Sequence, residues 1–115
     1  MKNRVKELTL DIFPDNFDVP SVILLSRKDC HFCQNLKPIF NNISIMKKYK
    51  AIYDFYIIDA DEEPDLYSQF KSDGVPTMYV VYEQDGVEIP YPENPCESGY
   101  AKEHIIKFLD ELLEE

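Results

Sequence analysis

Hydrophobic positions along the chain change period several times, and each change marks an element. Val5 to Leu10 has the length and composition of a short strand, and Ile12 to Phe17, punctuated by Pro14 and Asp15, reads as a helical turn or loop. Pro20 then opens Ser21-Val22-Ile23-Leu24-Leu25-Ser26, a continuous apolar run between polar residues that suits a central strand buried on both faces. From Cys30 apolar residues recur every three or four positions, at Phe32, Leu36, Ile39 with Phe40, Ile43 and Met46, tracing one face of a helix. Asp29 stands where an N-cap belongs, and Pro38 inside the helix removes one backbone donor and predicts a kink. Ile52 to Ile58, with β-branched and aromatic residues on both faces, predicts another strand.

Glu62, Glu63 and Asp65 surround Pro64 where a short helix would begin, and Lys71 followed by Gly74 marks its close. Thr77 to Glu83 predicts a strand, Asp85-Gly86 a hairpin turn, and Val87 to Ile89 its partner. Beyond a proline-rich loop, Pro90 to Gly99, the residues Ile105, Leu109 and Leu112, widened by Ile106, Phe108 and Leu113, predict a terminal amphipathic helix. Strands alternating with helices and ending in an antiparallel hairpin imply an α/β fold: a mixed sheet of four to five strands with helices on both faces. No internal repeat, linker or low-complexity tract interrupts it, so residues 1–115 are expected to form a single domain.

Composition narrows the function. With 44% hydrophobic and 13% aromatic residues the chain has material for a full core. Apolar runs such as Val22 to Leu25 are far too short to cross a bilayer, so no membrane partner is expected. A net charge of −10 opposes the phosphate neutralisation that nucleic-acid binding requires, and a solvated monomer is the simpler reading. Lys2, Arg4 and Lys6 are not followed by the apolar core of an export signal, and the chain ends Leu112-Leu113-Glu114-Glu115, which is no retention tetrapeptide. A cytoplasmic home is therefore expected, with the endoplasmic reticulum or an exported mature domain left open.

Three cysteines are too few for a disulfide framework, but Cys30-His31-Phe32-Cys33 has the spacing at which two sulfurs close a disulfide with little backbone movement. Structural thiols or half of a zinc site are the alternatives. Zinc would need four ligands, with only Cys96, His31 and His104 left as soft candidates, so no metal is expected. At a helix start, unpaired amides and the helix dipole favour a thiolate, the form that attacks disulfides. Cys30 would then be the nucleophile and Cys33, one turn inward, the resolving thiol. His31 is either a solvent-exposed helix-start residue or a tuner of the thiolate. Asp29 would raise the thiol pKa by like-charge repulsion, whereas His31, Arg27 and Lys28 would lower it. His104 reads as a surface residue, and Cys96 either as a free thiol or as a group that the loop brings near the pair.

Four features together carry a family resemblance: the C-x-x-C after a buried strand, Pro38 in the following helix, Val75-Pro76-Thr77 before the next strand, and Asp85-Gly86 in the hairpin. From about Ser21 to the C-terminus the chain resembles the thioredoxin superfamily, closest to its thioredoxin and protein disulfide isomerase branches. The resemblance implies a thiol-disulfide oxidoreductase that needs no bound cofactor, exchanges electrons with protein disulfide substrates, and is reset by a thiol reductant or oxidant. It implies a cis bond before Pro76, which would face the cysteines, and a backbone at Val75 that pairs with the substrate chain, so that Val75, Pro76 and Thr77 shape a groove.

The chain also departs from the pattern. Leu24 stands where these families usually have a buried acid that assists proton transfer from the second cysteine, Asp29 replaces the usual tryptophan, and His31-Phe32 replaces Gly-Pro or Gly-His. Phe32 is similar to the tyrosine of glutaredoxins, which makes a glutathione-dependent oxidoreductase one alternative. Against it, Thr77 follows Pro76 where glutaredoxins have threonine earlier, and no paired glycines with an acidic residue appear downstream. A redox-inactive thioredoxin-fold adaptor is the other alternative, although an adaptor need not keep both cysteines.

Overall fold

The computed structural model describes residues 4–9, 17–70, 74–83, 85–90 and 100–113. Five strands and three helices follow in the order β1 (Val5–Glu7), β2 (Phe17–Ser26), α1 (His31–Ser44), β3 (Asp54–Asp59), α2 (Pro64–Tyr67), β4 (Thr77–Glu83), β5 (Asp85–Glu88) and α3 (Lys102–Leu113). The strands make one mixed sheet in the order β1-β3-β2-β4-β5, with β1, β3 and β2 parallel, β4 antiparallel to β2, and β5 antiparallel to β4.

Alternation along β2 decides which layer each helix joins. Val22 and Leu24 face a cluster with Leu36, Phe40 and Ile43 of α1 and Ile105 and Leu109 of α3. Ile23 and Leu25 face the other side, with Ile58 of β3, Leu66 of α2 and Leu8. The helices thus cover both faces, and the four β2 side chains are wholly buried, each contributing about 1.5–3 kcal/mol.

Several boundaries differ from those the pattern predicts. β2 begins at Phe17, because a register shift between Phe17 and Ser21 lets Pro20, which has no N–H to donate, sit in a strand. The expected loop before it falls mostly on residues 10–16, outside the described ones. β1 stops at Glu7, and α1 stops at Ser44, before Met46. β3 starts at Asp54, since Ile52 lies in the preceding turn and is 36% exposed. α2 has only four residues, and Lys71 lies outside the described segments. Asp85 and Gly86 belong to β5, paired with Tyr82 and Val81, so the hairpin turns two residues earlier. Glu83 supplies the left-handed conformation there, with φ 56°. Leu113, counted in the apolar stripe of the terminal helix, is 43% exposed.

Hydrogen bonds between distant residues fasten α3 and the α1–β3 connection. The Tyr49 hydroxyl donates to Asp110 Oδ1 at 2.7 Å and Tyr53 to the Leu109 carbonyl at 3.1 Å. The Arg4 guanidinium donates to the carbonyls of Ser44, Tyr49 and Tyr53 at 3.1, 3.5 and 2.8 Å. The Ser44 carbonyl lies at the end of α1, where the helix supplies no donor, while the Tyr49 carbonyl also accepts the Ile52 and Tyr53 N–H groups.

Candidate active site

The parallel strands β2 and β3 end side by side, with Ser26 opposite Asp59, and the chain leaves β2 through Arg27, Lys28 and Asp29 into α1. Cys30 itself is the N-cap of α1. Its extended backbone, φ −93° and ψ 116°, lets Sγ accept the Cys33 N–H at 3.1 Å. This corrects the expectation for Asp29, which is exposed and one residue too early. Cys30 and Cys33 are joined as a disulfide, with Cα atoms 5.1 Å apart. The two sulfurs differ in access: Cys30 is half-buried, Cys33 wholly buried.

His31 and Phe32, between the cysteines, are both exposed, Phe32 at 38%. The His31 ring lies tilted against Phe32, and its Nε2 is 3.2 Å from Asn35 Nδ2 one turn on. An amide nitrogen only donates, so Nε2 is the acceptor in this arrangement. Arg27 and Lys28 do not act as free cations on the pair. Arg27 lies 3.5 Å from Asp61 and Lys28 2.6 Å from Glu62, which holds the Lys28 ammonium above its ordinary pKa. The cleft beside this loop, about 140 Å³, is lined by side chains including Ser26, Lys28, Lys37 and Asp59, and contains neither cysteine.

The Val75–Pro76 peptide bond is cis. Thr77 opens β4 opposite Leu25 near the end of β2, which puts the Val75-Pro76-Thr77 segment at the same end of the sheet as the cysteines. Pro76 is buried and Val75 half-buried, and the Thr77 hydroxyl donates to the Gly74 carbonyl at 2.6 Å. His104 is half-buried and donates from Nε2 to the Pro90 carbonyl at 2.8 Å, fixing the start of the last loop. Cys96 and most of that loop lie outside the described residues. Among the described residues, no three His, Cys, Asp or Glu side chains are grouped to hold a metal ion.

Leu24 is wholly buried and paired across the sheet with Ile57 and Met78. Sequence reasoning identified that departure but missed Gln34, whose side-chain nitrogen lies 2.7 Å from the Lys28 carbonyl oxygen. Nothing in an exposed glutamine after the second cysteine signals that contact.

Known proteins are similar to this chain in sequence and in fold. The thioredoxin family model matches residues 10–111. A thioredoxin of Borreliella burgdorferi is 36% identical over 64 residues, which are 56% of this chain and 53% of that protein, so the chain spans about half the length of this curated relative. Among solved structures, a Malassezia sympodialis thioredoxin aligns over 75% of this chain and 79% of its own, with a TM-score of 0.65 and 23% identity. ERdj5 aligns over 97% of this chain and 14% of its own, with a TM-score of 0.80 and 17% identity. Human ERp44 aligns over 96% of this chain and 30% of its own, with a TM-score of 0.74 and 18% identity. At these identities the solved structures speak for the fold, while the family match covers nearly the whole sequence: the chain belongs to the thioredoxin family.

Proposed function

We propose that the chain is a thiol-disulfide oxidoreductase whose Cys30–Cys33 pair exchanges electrons with disulfides of protein substrates. The observation that carries this is the asymmetry of the bonded pair: a half-buried Cys30 at the helix N-cap and a wholly buried Cys33 one turn inward. In the reduced form the Cys33 N–H and the positive end of α1 favour the Cys30 thiolate. That thiolate attacks one sulfur of the substrate disulfide; the substrate S–S bond breaks, and its other sulfur leaves as a thiolate. Cys33 then loses its proton and attacks Cys30, the second substrate sulfur leaves, and the Cys30–Cys33 disulfide forms. Two electrons have passed to the substrate, and an external thiol reductant restores the pair. With Leu24 in place of a carboxyl, the Cys33 proton goes to the departing substrate thiolate or to water. Val75, Pro76 and Thr77 shape the groove, Phe32 offers apolar contact beside Cys30, and Asp29 and His31 are the polar groups that flank and tune the Cys30 thiolate.

Insulin reduction with dithiothreitol as electron source tests the proposal. Catalysis by the wild type that is lost in both Cys30→Ser and Cys33→Ser supports it. A wild type that does not accelerate the reaction overturns it.

A further inference from the structure

Gln34 follows the cysteine pair in α1 and is exposed. Its backbone N–H donates to the Cys30 carbonyl at 3.0 Å, completing the first helical bond. Its side chain reaches back over that turn, placing Nε2 2.7 Å from the Lys28 carbonyl oxygen and 3.5 Å from that of Arg27. Both neighbours are pure acceptors, so it is the NH2 end of the amide that faces the loop.

The Arg27 carbonyl also accepts the Cys30 N–H at 3.4 Å, so one short stretch of backbone is tied both to Gln34 and to the cysteine. On the other side, Asp61 and Glu62 hold the side chains of Arg27 and Lys28. Those ion pairs join long, exposed side chains and fix the backbone weakly. The Gln34 amide grips the loop carbonyls directly from α1. That backbone leads into the extended Cys30 dihedrals from which Sγ accepts the Cys33 N–H.

We propose that Gln34 is a positioning residue for thiol exchange: its amide clamps the Arg27 and Lys28 carbonyls and thereby keeps the Cys30 sulfur on the Cys33 N–H. The inference rests on the oxidoreductase reading above and extends it to a residue outside the C-x-x-C. A hydrogen bond to the charged form favours that form, so loosening the clamp makes the Cys30 thiol less acidic.

Gln34→Met keeps the side-chain length and removes the donor. In the reduced variant the Cys30 titration midpoint should rise, and alkylation by iodoacetamide below the midpoint should slow about threefold, equivalent to roughly half a pKa unit. Asn42→Met, the same kind of change farther along the exposed face of α1, should alter neither. In the wild type, the Gln34 side-chain amide protons should exchange slowly with solvent and show hydrogen-bond coupling to the Lys28 carbonyl by NMR, a readout that does not depend on the variant folding. An unchanged midpoint in a folded Gln34→Met, even with a lower Tm, overturns the proposal, as does an amide that exchanges like free glutamine. Wild-type insulin turnover is recorded in parallel; its absence sinks the oxidoreductase reading, while the alkylation data still decide the role of Gln34.

Discussion

Replacing Leu24 by aspartate installs a carboxyl at the position where thioredoxins and disulfide isomerases usually have one, in a site this chain has made apolar. Leu24 is wholly buried, lies opposite Ile57 and Met78 in the sheet, and belongs to the layer that holds Leu36 and Phe40. Losing the leucine contacts costs about 3 kcal/mol, by analogy with buried Leu→Ala changes. A neutral carboxyl without a partner adds about 1–3 kcal/mol. A total of roughly 4–6 kcal/mol is a large part of the ~5–15 kcal/mol by which such a domain is stable. Burial also raises the folded-state pKa of the introduced carboxyl above its unfolded value of about 3.9. The sign follows: stability is best retained below the unfolded pKa and lost as pH rises toward the folded one. Urea unfolding of wild type and Leu24→Asp between about pH 4.5 and 7 should show the variant falling by about 1.4 kcal/mol per pH unit relative to wild type. Parallel stability curves would refute the apolar, partnerless description of this site.

Tyr49→Phe removes the donor to Asp110, which is 42% exposed and retains Lys48 at 2.9 Å, so the expected loss is about 1–2 kcal/mol by urea denaturation. Burial, and for Tyr49 the Asp110 hydrogen bond, raises the phenol pKa of Tyr49, Tyr53 and Tyr56. Folded-state values above the unfolded one leave their contribution intact below about pH 10 and remove it above, so alkaline unfolding should be less steep in Tyr49→Phe. Arg4→Met deprives the Ser44, Tyr49 and Tyr53 carbonyls of a donor; a loss of about 2–3 kcal/mol is expected, with faster amide exchange over residues 44–53.

What the sequence reveals here is what local periodicity controls. The apolar run of β2 and the stripes of α1 and α3 could be read because burial imposes a period of two or 3.6. The hairpin turn was displaced because pairing of Val80 with Val87 overrides the local preference of Asp-Gly and puts Glu83 at positive φ. The helix start was one residue off because a cysteine sulfur, not the Asp29 carboxylate, accepts the capping N–H. The cysteine pair was legible from spacing and position. Its support was not: Gln34, Asp61 and Glu62 act through backbone carbonyls and loop charges whose proximity depends on how β2, β3 and α1 meet. Arg4 and Tyr49 reach partners 40 or more residues away, beyond any local pattern.

In the proposed exchange Cys30 supplies the attacking sulfur and Cys33 the resolving sulfur. Incubating Cys33→Ser with an oxidised protein substrate and locating the adduct by mass spectrometry tests that assignment most directly. A persistent mixed disulfide on Cys30 that dithiothreitol releases is expected, with no such adduct on the buried Cys33 of Cys30→Ser. An adduct on Cys33 in Cys30→Ser, or none on Cys30 in Cys33→Ser, would contradict it.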